Sequence, residues 1–114
     1  MANIYKNEKK DLTTNTVTTL YSVPSNSRAI IKSILVCDDT NNGSSITVTL
    51  FPGAPSAGNG IVIFKSAAVA GNATVQLLTE PLIMQESETL EVVAADANRL
   101  HIVASILEIN REDR

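Results

Sequence analysis

Tryptophan is absent from this 114-residue chain, and cysteine and histidine occur once each, as Cys37 and His101. One cysteine excludes an intrachain disulfide, and one of each leaves too few soft ligands for a zinc site. The aromatics are Tyr5, Tyr21, Phe51 and Phe64, so stacking platforms for bases or sugars are scarce. Nine basic residues against twelve acidic ones give a net charge of −3, without the basic excess of a phosphate-backbone binder. No nucleic acid partner is expected. No apolar run approaches the roughly 18 residues of a membrane span, and residues 1–10 lack the apolar stretch of a secretory leader. The expectation is a soluble protein made in a cytoplasm, with no membrane partner.

Catalytic groups are equally sparse. Neither the G-x-S-x-G nucleophile pattern nor either glycine-rich phosphate loop occurs. A triad of His101, Ser33 or Ser105 and a distant Asp is conceivable only because such groups need converge in space alone. Oxygen-rich Asp38, Asp39, Asn41 and Asn42 are a calcium candidate without the EF-hand order, and read better as a turn. Glu86, Glu88 and Glu91 read as a solvated acidic edge. No enzymatic activity, metal or cofactor is expected.

What the chain has in quantity is short, β-branched segments. Hydrophobic residues make up 44% of it, and one core is feasible at this length. After a polar arm (1–11) carrying the isolated pair Ile4 and Tyr5, turn clusters divide the chain into about eight short strands. In 13–23, Val17, Thr19, Tyr21 and Val23 share a face, and Pro24 to Ser27 close the strand. Ile46, Val48 and Leu50 alternate with Thr47, Thr49 and Phe51. The stretch 52–60 collects three glycines and two prolines and is the longest expected loop. Residues 67–70 could form one helical turn. The expected class is all-β: a single antiparallel β-sandwich of jelly-roll type over 12–110, followed by a charged tail at 111–114.

Two segments are apolar on both period-2 faces. In 27–38, Ile31, Leu35 and Cys37 alternate with Ile30, Ile34 and Val36. In 100–109, Leu100, Ile102, Ala104 and Ile106 oppose His101, Val103, Leu107 and Ile109. A strand apolar on both sides needs a second cover, which in so short a chain is another subunit. Ile4, Tyr5, Ile30, Ile34, Val36, His101, Val103 and Leu107 are therefore the expected subunit interface.

Three runs carry a family resemblance: Tyr21 to Asp38, with its Tyr-x-Val-Pro strand end, Ile46 to Leu50, and Pro81 to Ala95. Together they resemble small virion-associated proteins of tailed bacteriophages, over about residues 12–107. Ser87 stands where the family's turn often carries glycine. The resemblance implies a virion structural protein: a capsid decoration or cement protein, or a tail or head-to-tail accessory. It further implies a homo-oligomer, a trimer, with the major capsid protein or other virion proteins as partners. A host-recognition module binding glycans through loop 52–60 is the alternative.

Overall fold

The computed structural model describes residues 2–55 and 58–110, so the expected tail at 111–114 lies outside the described residues. Nine strands follow in order: β1 (Ala2–Leu12), β2 (Thr18–Ser22), β3 (Ser27–Asp38), β4 (Ser44–Phe51), β5 (Ile61–Val69), β6 (Thr74–Gln76), β7 (Leu82–Met84), β8 (Thr89–Ala94) and β9 (Leu100–Asn110). None of the described residues is helical, and 67–69 extend β5 where a helical turn was conceivable.

All pairings are antiparallel. The first sheet runs β1-β9-β3, with β6 and β7 both on the far side of β3; the second runs β2-β8-β4-β5. β7 pairs with Ala29–Ile31 and β6 with Leu35–Cys37, so the two occupy successive places along one neighbour. Counted as one interrupted strand they make an eight-stranded order, 1-8-3-6 facing 2-7-4-5. This is the doubly wound Greek-key order of a jelly roll. The chain is an antiparallel β-sandwich of that kind.

Between the sheets lies a core of aliphatic side chains, including Leu12, Ile31, Ile34, Val36, Ile46, Val48, Leu90, Val92, Leu100 and Ile102. β-Bulges on β3 and β2 decide which of their residues reach it. On β3, Ile31 pairs with Ile106 and Ser33 with Ser105, so Lys32 is an extra, unopposed residue. An inserted residue reverses the facing of everything beyond it. Ala29 and Ile31 before the bulge, and Ile34 and Val36 after it, therefore all point inward. Ile34 and Val36, expected at a subunit interface, are fully buried in the chain's own core.

On β2, Thr19 opposes Glu91 and Tyr21 opposes Leu90, leaving Leu20 as the extra residue. Leu20 and Tyr21 are consecutive and both buried, whereas Val17 is exposed. The shared face expected for Val17, Thr19, Tyr21 and Val23 is broken at that point.

Of the arm expected at 1–11, residues 2–11 form, with Leu12, the edge strand of the first sheet, paired along its whole length with β9. Leu12 enters the core, while Ile4 and Tyr5 stay exposed. Lys6 ties the strand inward: its Nζ lies 3.2 Å from Glu8 Oε2, 3.8 Å from Glu108 Oε2 and 5.4 Å from the Tyr21 ring centroid.

Candidate association face

The β3 bulge that sends Ile34 and Val36 inward also brings Ile30, Leu35 and Cys37 onto one outer face. β9 has no bulge, so His101, Val103, Ser105, Leu107 and Ile109 line up beside them. Register then groups the outward residues of neighbouring strands into cross-strand rows, where facing side chains touch. Tyr5 of β1, Leu107, Ile30 and Ile83 of β7 form one row across four strands. Tyr5 is 76% exposed and Ile83 65%, at the two ends of the row. Nearer the far end, Lys9, Val103, Leu35 and Gln76 form a second row, with Leu35 exposed. Between them lies a row of small or polar residues, Asn7, Ser105 and Ser33.

The two ends of the face differ in charge. At one, Arg28 sits beside Ile109 and Asn3. At the other, His101 pairs with Cys37 and Asp11, and its Nε2 lies 3.2 Å from Asp11 Oδ1 and 3.6 Å from Asp39 Oδ2. Of the expected interface residues, the fold thus gathers Tyr5, Ile30, Val103, Leu107 and His101 on one surface. Ile4, opposite Glu108, faces the other side of β1, and Ile34 and Val36 are internal. Sequence reading missed Ile83 and Leu35 as members of this face. Ile83 sits in a three-residue strand too short for periodicity to show, and Leu35 was assigned to the opposite phase of β3.

Catalytic geometry is not assembled around His101. Ser105 lies on the same face, but four residues along a strand is about 13 Å, far beyond a nucleophile-base hydrogen bond. Ser33 shares the row of Ser105. Among the described residues, no three His, Cys, Asp or Glu side chains come together as metal ligands.

Asp38, buried at the end of β3, is held by its own turn: Oδ1 accepts the Thr40 N–H at 2.7 Å and the Thr40 hydroxyl at 2.6 Å. The Thr40 hydroxyl hydrogen bond, with lesser help from the Thr40 N–H and the Arg99 charge, keeps its carboxyl below the ordinary range despite desolvation. Gly71 lets the 70–73 turn lie against this loop, since a Cβ there would stand 2.6 Å from the Asn41 carbonyl.

No protein-family model matches the chain, and no curated protein matches it. Solved structures do share its fold. A chain of the T13 IBDV viral particle superposes with a TM-score of 0.58 at 12% identity, covering 96% of this chain and 31% of that one. A chain of the infectious bursal disease virus Gx strain gives 0.55 at 12%, covering 99% and 33%. A Bacillus endospore appendage protein, from a family of disulfide-linked pili, gives 0.50 at 14%, covering 96% and 85%. The chain spans about a third of the length of the two viral chains. At these identities the likeness is one of fold.

The pilus family is described as disulfide-linked, whereas this chain has only Cys37, half-buried and reduced, in the row of His101. Tyr5, Leu35 and Ile83 are the exposed large apolar side chains on the outer face of the first sheet.

Proposed function

We propose that this chain is a virion structural protein of a tailed bacteriophage, a capsid decoration or cement protein that reinforces the shell. In this reading it acts as a homo-oligomer bound to the major capsid protein or neighbouring virion proteins. It is made in the host bacterial cytoplasm, resides in the virion and carries no enzymatic activity. The single observation carrying the proposal is the outward cross-strand row of Tyr5, Leu107, Ile30 and Ile83, exposed at its two ends and half-buried between them. Burying a Leu, Ile or comparable side chain contributes about 1.5–3 kcal/mol, so such a row favours adhesion before association entropy is subtracted. The fold, similar to that of chains of two viral particles, supports the same reading.

Phage particles assembled without this protein should lose infectivity at lower temperature and chelator concentration than complete particles, and adding back the purified protein should restore them. Equal resistance with and without it would refute a cementing role. Light scattering of the purified protein gives the copy number.

A second reading, a tail or head-to-tail accessory that recognises host glycans, draws on one observation. Loop 52–60 leads into Ile61 and Val62, which are 61% and 50% exposed on edge strand β5. A glycan array separates the two: binding by the intact chain and none by a loop-deleted variant favours host recognition.

A further inference from the structure

The middle of the outer face of the first sheet reads the same from both ends: Leu107 and Ile30 stand on one side of the Ser105 row as Val103 and Leu35 do on the other, while Tyr5 is matched by Lys9 and Ile83 by Gln76. From the Arg28 end inward come the Tyr5 row, then the small central row with Ser105 and Ser33, then the Leu35 row, and finally the His101 end with Asp11 and Asp39. Apolar rows stand symmetrically about a centre of small side chains, and opposite charges stand at opposite ends. An isologous twofold contact demands such an arrangement, because each residue that meets a partner residue is met by it in return.

We propose that a second copy of this chain covers this face, turned end for end about a twofold axis through the Ser105 row and perpendicular to the strands. The inference rests on the association reading above and specifies its geometry. Each β3 then crosses its counterpart, placing Arg28 of one copy at the Asp39 end of the other. Ile30 meets Leu35, Leu107 meets Val103, and the Tyr5 ring meets the Lys9 stem and ammonium, a cation-π pairing. Both charge pairs occur twice per dimer. The alternative twofold, with strands parallel, stacks the same apolar rows but leaves Arg28 over Ile109 and the acidic end over neutral residues. Charge complementarity selects the first arrangement. Lys32 is the charged side chain nearest its own counterpart, and it stands where neither β6 nor β7 covers β3, so its ammonium reaches water at the sheet edge. A contact of this kind closes at two copies and yields a dimer in place of the trimer implied by the resemblance.

The test is mass and cross-linking on the full chain. Light scattering should give a dimer. In a Cys37→Ser background, Ser105→Cys should be joined to its counterpart by a bifunctional thiol reagent spanning roughly 10 Å, the spacing of stacked sheets. The unaltered chain, whose Cys37 pair lies at opposite ends of the contact, should not be joined. Arg28→Asp should raise the dimer dissociation constant about tenfold, since two exposed ion pairs are lost and reversed, and adding Asp39→Arg should restore it. Ser105 and Arg28 are exposed, so unchanged circular dichroism certifies the fold of each variant. A trimer, or a dimer in which Ser105→Cys is not joined, overturns this register while leaving association intact. A monomer at tens of micromolar overturns both.

Discussion

The two sheets of this jelly roll turn similar aliphatic faces toward each other and very different ones toward solvent. Outside the second sheet, Thr19, Glu91 and Thr49 share one row and Thr47 and Val93 the next. The Thr19 hydroxyl donates to Glu91 Oε2 at 3.0 Å, and the Thr47 hydroxyl accepts the Ser66 N–H at 3.0 Å. The Thr19 row runs on to Val62, exposed on edge strand β5, so this surface mixes paired polar groups with single apolar side chains. Outside the first sheet, equivalent positions hold Tyr5, Leu107, Ile30, Ile83, Val103 and Leu35. A one-sided antiparallel sheet ordinarily alternates apolar with polar, as the second does. The departure in the first sheet is what the proposed association rests on.

The largest effect that sharpens this contrast lies within β3 itself. Ile34→Ala should cost about 2–5 kcal/mol in denaturant unfolding, because it opens a cavity in a fully buried site. Ile30→Ala, four positions away and outward, should cost the monomer under about 1 kcal/mol. Equal losses would mean the Lys32 bulge does not separate the two faces. Next in size are charges placed on each outer surface. Ile83→Asp should weaken self-association by roughly tenfold to a hundredfold, the worth of one anchoring side chain, in sedimentation equilibrium. Thr19→Lys, on the second sheet, should leave it unchanged. If both variants weaken association, the second sheet also takes part and the contrast fails.

The fold class was legible in the sequence because its signal is local: β-branched runs broken by Pro, Gly, Asn and Asp clusters read directly as strands and turns. The faces of β9 were legible for the same reason, since an unbulged strand keeps its period from Leu100 to Ile109. β3 and β2 were not, because the bulges at Lys32 and Leu20 are set by register against β9 and β8, a tertiary property. Ile34 and Val36 were therefore placed outside when they lie inside. Residues 2–12 look like a polar arm because an edge strand covered by little else needs few apolar side chains, and its partner 100 residues away leaves no local mark. The candidate face was half legible: its apolar excess showed in β3 and β9, while its extent across β1 and β7 needed the pairing.

The sheets are also joined by a polar contact whose loss should rank third. Tyr21 of β2 donates its hydroxyl to Glu108 Oε2 of β9 at 2.5 Å, and both residues are buried. Burial, then the hydrogen bond and charge of Glu108, raise the Tyr21 pKa, so the neutral phenol is favoured in the folded state. Its contribution is complete below the unfolded value of about 10 and is lost as pH rises above it. Tyr21→Phe should cost about 1–3 kcal/mol at neutral pH and flatten the alkaline fall in stability, measured by urea unfolding across pH. An unchanged alkaline slope would show that the contact does not couple the sheets.

Asp38 gives the opposite limb. Its folded pKa is lowered, so its contribution is present above the unfolded value near 4 and lost as pH falls below it. Thr40→Val removes the hydroxyl that is the main cause of the lowering, and should move the acid-unfolding midpoint to higher pH. Identical acid profiles would remove this turn from the account of how the first sheet is closed.

The smallest expected effect is at the turn where the chain crosses from β7 in the first sheet to β8 in the second. Ser87 there has φ +67°, a left-handed conformation that costs a side-chain-bearing residue roughly 1 kcal/mol relative to glycine. The turn is kept by the Ser87 N–H donating to the Val23 carbonyl at 3.1 Å and the Val23 N–H donating to Glu88 at 2.9 Å. Ser87→Gly should therefore stabilise the chain by up to about 1 kcal/mol, less the greater flexibility glycine gives the unfolded state. Association should not change, because the turn is held by backbone hydrogen bonds to Val23 and not by any residue of the Tyr5 row. A gain in stability with unchanged mass would show that crossing between the sheets and covering the first sheet are separate properties of the chain; a variant that altered both would tie the outer face to the geometry of this one turn.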